Sequence, residues 1–212
     1  MIKSSTKNII LIGMMGSGKS TTAKKIAQQT FLTHLDTDEL ISAYHQKSIQ
    51  DIFDAFGEKQ FRDMEHKVAK NLPKENHVIS TGGGMPCYHE NMDVLNKNGS
   101  TFYLSSPVDL LFSRLKNKKN RPLFKNQLDQ LELFLNERLV YYEKAHVTID
   151  ISDKNVDQVV LEILDFVNLI YLLSASRKHN PVQSLLDTQI FQMRLHVQRS
   201  CLFLIIIIDH LF

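Results

Sequence analysis

Between Gly13 and Ser20 the chain reads Gly-Met-Met-Gly-Ser-Gly-Lys-Ser, a G-x-x-x-x-G-K-S spacing. It follows the apolar run Ile9-Ile10-Leu11-Ile12 and leads into a helix-like stretch. A strand–loop–helix of this kind aims main-chain N–H groups and a helix N-terminus at polyphosphate. Gly16 and Gly18 let the backbone turn and approach the phosphates, and Ser17 and Thr21 complete the loop and the first turn. Lys19 is placed to reach the β- and γ-phosphates, and the Ser20 hydroxyl to bind Mg²⁺. The chemistry implied is that of ATP with Mg²⁺.

Other residues extend that chemistry. Asp36 and Asp38 flank Thr37, and an i, i+2 pair in extended chain points to one side. Asp36 is suited to hold Mg²⁺ and Asp38 to orient a hydroxyl or accept its proton; the competing reading of Asp38 is a helix N-cap. Arg62 and Glu65 lie three apart on a helix, so the carboxylate steadies the guanidinium as a clamp for an anion. Leu131, Leu135, Arg138 and Tyr142 fall on one helical face. Arg138 on an apolar stripe is explained by a cleft that holds an anion. Gly82-Gly83-Gly84 clears side chains where a ligand or another backbone comes close. From Arg114 to Lys125 the chain carries six basic residues and no acidic one. A basic loop opposite a phosphate site suggests a mobile lid that brings Arg121 to the transferring phosphoryl group.

These residues need a frame. Strands are expected over Asn8–Gly13, Thr33–Asp36, Val78–Ser80, Thr101–Leu104 and Val147–Ile151. Helices are expected over Lys19–Gln29, Ser48–Asn71 with a break near Gly57, from Pro107, over Gln127–Ala145, and over Val156–Phe166. This β-α alternation predicts an α/β fold with a parallel sheet between helices. The phosphate loop, Asp36 and the glycine triplet all fall at C-terminal strand ends, where such sheets bind ligands.

Bulk properties narrow the setting. The chain has 212 residues and a net charge of +2, ordinary for one soluble domain and too small a charge to indicate a nucleic-acid or membrane partner. Cys87 and Cys201 are far apart and lack metal spacing, which suggests a reducing, cytoplasmic setting. The polar lead-in Met1–Lys7 does not read as a signal peptide. Residues 167–212 differ from the rest, with four Lys/Arg, two Asp/Glu and an apolar run at Leu202–Ile208. That run is well short of the roughly 20 residues a membrane span needs, and the segment reads as an extension of unknown role.

Taken together, Gly13–Thr21, Asp36-x-Asp38, Phe61-Arg62-x-x-Glu65, Gly82–Gly84, Arg121-Pro122-Leu123 and the Arg138–Tyr142 helix resemble the shikimate kinase family, from about Asn8 to Phe166. The resemblance implies a five-stranded sheet of order 2-3-1-4-5. It implies a kinase domain over 1–166, with an acceptor-binding segment at about 38–71 and a lid at about 115–126. It implies ATP as donor and the shikimate 3-hydroxyl as acceptor, within aromatic amino-acid biosynthesis; the chain is expected to be a monomer. By the same resemblance Arg62 and Arg138 grip the shikimate carboxylate, Asp38 contacts the reacting hydroxyl, and Gly82, Gly83 and Gly84 close over the substrate. Arg121 meets the ATP phosphates and Arg114 lies near adenine. Two rivals remain at this point: a gluconate or nucleoside monophosphate kinase of the same fold, and a non-catalytic nucleotide-binding module. Against a GTPase-like switch, Asn96-Lys97-Asn98-Gly99 matches the guanine-reading Asn-Lys-x-Asp only in part.

Overall fold

The computed structural model describes residues 7–116 and 128–176, with side chains through 171. Five strands form one sheet: β1 (Asn8–Ile12), β2 (Thr33–Asp36), β3 (His77–Ser80), β4 (Gly99–Ser105) and β5 (Val147–Asp150). Every pairing is parallel and the spatial order is β2-β3-β1-β4-β5, as expected. The central strand β1 is buried along its whole length, which is why it reads as a continuous aliphatic run.

Among the described residues the α-helices are α1 (Lys19–Gln29), α2 (Thr37–His45), α3 (Ile49–Lys70), α4 (Asn91–Asn98), α5 (Val108–Lys116), α6 (Leu128–Tyr142) and α7 (Val156–Ser176). Alternate residues of the strands serve opposite faces. Ile10, Ile12, Ile79 and Tyr103 pack with Leu95 of α4, Leu111 and Leu115 of α5, and Leu131 and Tyr142 of α6. α1 lies against β1, β2 and β3. A separate small core of Ile41, Ile52 and Phe61 ties α2 to α3. At Gly57 the backbone leaves helical geometry (φ 75°, ψ 170°), so α3 is two helical pieces joined at the expected break.

Several expectations are corrected. Thr37 and Asp38 are helical, so Asp36 and Asp38 do not share an extended strand. The capping residue is Asp36, whose side chain accepts from the amides of Asp38 and Glu39. Pro107 precedes α5 and does not lie within it; its carbonyl accepts the Leu111 amide at 3.2 Å. α4 was not anticipated, although Gly99 just past its end is an ordinary stop signal. The last helix does not end at Phe166. No Gly or Pro occurs between Val156 and Ser176, so nothing local stops it.

The chain divides into a compact unit through Leu161 and a second from Glu162 onward. In the second, the description covers the remainder of α7 to Ser176. Among the described residues no helix is long and apolar enough to cross a membrane.

Candidate active site

The phosphate loop is built mainly from backbone conformation. Gly16 and Gly18 adopt φ of 85° and 90°, left-handed values that a side chain would strain. A Cβ on Gly16 would also press on Leu115, so α5 packs directly against the loop. Arg114 sits half-buried beside Leu115 in the last turn of α5. Lys19 opens α1, buried, with its Nζ donating to the Gly13 and Met14 carbonyls at 2.8 and 3.0 Å. The Ser17 hydroxyl is buried and has no hydrogen-bond partner among the described residues, a polar atom available to a ligand. Ser20 and Thr21 lie exposed on the first turn.

Ser20 links the loop to the end of β2. Its hydroxyl donates to Asp36 Oδ2 at 2.8 Å, and the Ser80 hydroxyl donates to the same oxygen at 2.7 Å. The Asp38 amide donates to Oδ1 at 3.0 Å. Burial works to raise the Asp36 carboxyl, but these bonds outweigh it and hold its pKa below the ordinary carboxylate range. A hydroxyl beside a carboxylate kept ionised is a hard-oxygen donor set, which fits Mg²⁺.

The acceptor side is built from side chains. Arg62 is 8% exposed, and its Nη1 donates to Glu65 Oε2 at 2.8 Å. Its Nε and Nη2 donate to a single oxygen of Glu58, at 3.2 and 2.8 Å. The Tyr88 ring covers one face, with its centroid 4.3 Å from Cζ. The expected Arg62–Glu65 pair is therefore present, and it is a buried pair, not a solvated surface one. Glu58 was not anticipated, although its i, i+4 spacing to Arg62 was available. Burial pushes the Glu65 carboxyl up to about 7 against the pull of Arg62, and the Asp38 charge adds to the rise.

The glycine triplet is where these groups meet. A Cβ on Gly82 would collide with Asp38 Oδ1 and crowd Glu65 Oε1, and one on Gly84 would fall on the Arg62 guanidinium. What comes close at those two positions is therefore charged side chains, not another backbone. Gly83 abuts the phosphate loop: a Cβ there would lie 3.4 Å from the Met15 amide nitrogen and 3.6 Å from Arg138 Nη1. Leu131 and Tyr142 of α6 are fully buried, while Leu135 and Arg138 are half-buried, so the stripe lies where the sequence puts it. Arg138 donates to Met14 Sδ at 3.6 Å and lies over the Phe134 ring. Among the described residues no carboxylate ion-pairs with it.

Asp38, Arg62, Gly82, Gly83, Gly84 and Arg138 thus converge, and at Gly83 they adjoin the loop that carries Lys19. Arg121 and most of the expected lid lie outside the described residues. Ser80, Met14, Tyr88 and the Tyr142 hydroxyl also contribute to the site. They carry no local sequence signal, because their partners are remote along the chain.

The family model described as Shikimate kinase matches residues 15–168. A shikimate kinase from Clostridium botulinum (strain Loch Maree / Type A3) is 45% identical over 162 residues, covering 74% of this chain and 94% of its own. One from Bacillus cereus (strain AH187) is 36% identical over 163 residues, covering 76% and 99%. The solved structure of shikimate kinase from Acinetobacter baumannii in complex with shikimate is 32% identical, with a TM-score of 0.67 over 82% of this chain and 96% of that one. A family match across most of the chain, with relatives 36–45% identical along nearly their whole length and a solved structure of the same fold, means that this chain belongs to the shikimate kinase family.

Proposed function

We infer that the two halves of this site meet to transfer the γ-phosphoryl group of ATP to the 3-hydroxyl of shikimate. The products are shikimate 3-phosphate and ADP, and the step belongs to aromatic amino-acid biosynthesis. The observation that carries the reading is the position of Gly83, which adjoins the phosphate loop and Arg138 at once. A bond forms between the acceptor oxygen and the γ-phosphorus, and the bond from that phosphorus to the β,γ-bridging oxygen breaks. Little covalent work falls to the protein; positioning and charge neutralisation supply most of the rate.

Each residue has a part in this reading. The loop amides of Gly16, Ser17 and Gly18, with Lys19, Ser20 and Thr21, hold the phosphates. Ser20 and Asp36 would hold Mg²⁺, which when bound offsets phosphate charge. Arg62 and Arg138 take the shikimate carboxylate. Arg62 is kept in place by Glu58 and Glu65, while Arg138 forms no direct ion pair with a described carboxylate and feels Glu58 and Glu65 only from a distance. Asp38 sits against Gly82, where it orients the reacting hydroxyl and accepts its proton. Gly82, Gly83 and Gly84 close over the ring. On sequence grounds Arg121 enters from a lid over 115–126, and Arg114, packed beside the loop through Leu115, borders adenine. The kinase domain is assigned to 1–166, with 38–71 as its acceptor segment, in a cytoplasmic monomer that binds neither nucleic acid nor membrane.

The test is ADP release followed with a coupling enzyme. With ATP and Mg²⁺, turnover is expected only when shikimate is supplied. Turnover with gluconate or a nucleoside monophosphate, and none with shikimate, rejects the assignment.

A further inference from the structure

We propose that Tyr142 is a positioning residue for the acceptor side, its hydroxyl fixing Gly83 and, through Met14, the place of Arg138 against the phosphate loop. The inference rests on the acceptor roles given above to Arg138 and the glycine triplet.

Tyr142 is fully buried, and its ring stacks on Tyr103 with centroids 5.0 Å apart. A phenylalanine would make the same stack, so packing alone does not call for the hydroxyl. That hydroxyl donates to the Gly83 carbonyl at 2.6 Å. The carbonyls on either side are satisfied within the local turn, Gly82 by the Met85 amide and Gly84 by the Cys87 amide. Gly83 alone takes its donor from another element, 59 positions along the chain. Met14 Sδ lies 3.8 Å from the Tyr142 oxygen and accepts from Arg138 Nη1 at 3.6 Å. Arg138 stands one helical turn before Tyr142 on α6. The phosphate loop, the triplet and α6 therefore meet around one phenol. Burial raises its pKa, so it remains a neutral donor across the working range. Without it the half-buried Gly83 carbonyl loses that donor, at the cost of one hydrogen bond. Relief of that cost comes from a shift of the triplet or of α6, and either shift moves Arg138.

Steady-state kinetics and thermal unfolding on the full chain test this, with Tyr142→Phe, Arg138→Met and Val160→Ala compared with the unmodified protein. Val160 is a fully buried residue of α7 outside the site, and its truncation controls for lost stability. Tyr142→Phe is expected to raise the KM for shikimate on the order of tenfold and to leave the KM for ATP within about twofold. A Tyr142→Phe protein that melts earlier but keeps both KM values, as Val160→Ala is expected to, overturns the proposal. So does a variant whose two KM values rise together. An Arg138→Met protein with unchanged KM for shikimate overturns the acceptor assignment itself. A rise for Arg138→Met without one for Tyr142→Phe overturns the positioning role alone. Should Tyr142→Phe fail to fold, Met14→Leu removes the sulfur at nearly constant volume. The same selective rise supports the proposal, and an unmoved KM for shikimate overturns it.

Discussion

The two sides of the cleft are made of different material. The proposed donor side is a contiguous loop of main-chain amides, three glycines at positive φ (Gly13, Gly16 and Gly18) and one lysine. The proposed acceptor side is assembled from α2, α3, the end of β3 and α6, from side chains whose mutual support spans the chain. Its two guanidinium groups differ as well. Arg62 is buried and held by Glu58 and Glu65. Arg138 is half-buried and lies against sulfur and an aromatic ring. A loop of amides tolerates any polyphosphate that fits it, whereas a carboxylate clamp depends on several elements arriving together. Specificity for the acceptor is therefore where distant substitutions should be felt.

Substitutions can sharpen or break that division. The largest expected effect is on the donor side. Lys19→Ala is expected to lower kcat on the order of 10³-fold and to weaken ATP, measured by ADP release and nucleotide titration. A variant that loses only shikimate affinity would dissolve the distinction. Next, Arg138→Ala should raise the KM for shikimate roughly 10- to 100-fold with little change for ATP. The reverse pattern would put Arg138 on the wrong side. Third, Gly84→Ala places a methyl group on the Arg62 guanidinium, and overpacking of that kind should raise the KM for shikimate about tenfold. Unchanged kinetics would show that Arg62 has room to move.

The smallest expected effect concerns Glu65 and pH. Its folded pKa, about 7, lies above the ordinary 4.5, so folding takes up a proton between those values. Its contribution to stability is thus full at the acid end and lost as pH climbs from about 4.5 to about 7. Glu65→Gln should flatten that part of the profile in thermal unfolding across pH. A profile with the same slope in both proteins would mean that Glu65 stays ionised beside Arg62.

Much of this is legible in the residues alone. The loop from Gly13 to Thr21, the buried β1 run and the α6 stripe are local patterns, set by backbone geometry and by periods of two and 3.6 residues. The sheet order came from resemblance, since no single segment encodes which strands lie side by side. Where local reasoning failed, it failed at junctions. Asp38 faces the triplet from a helical turn, not from a strand, because the Asp36 side chain captures the first free amides of α2 and starts the helix at Thr37. α7 overran its expected end because nothing nearby stopped it.

By itself the sequence determined the elements and the phosphate loop, since their hydrogen bonds close within a few residues. Only the tertiary structure decided that Glu58 as well as Glu65 holds Arg62, that Arg138 leans on a methionine of the phosphate loop, and that a tyrosine 59 positions away satisfies Gly83. Those contacts join elements far apart along the chain, so their partners are fixed only where the fold brings those elements together.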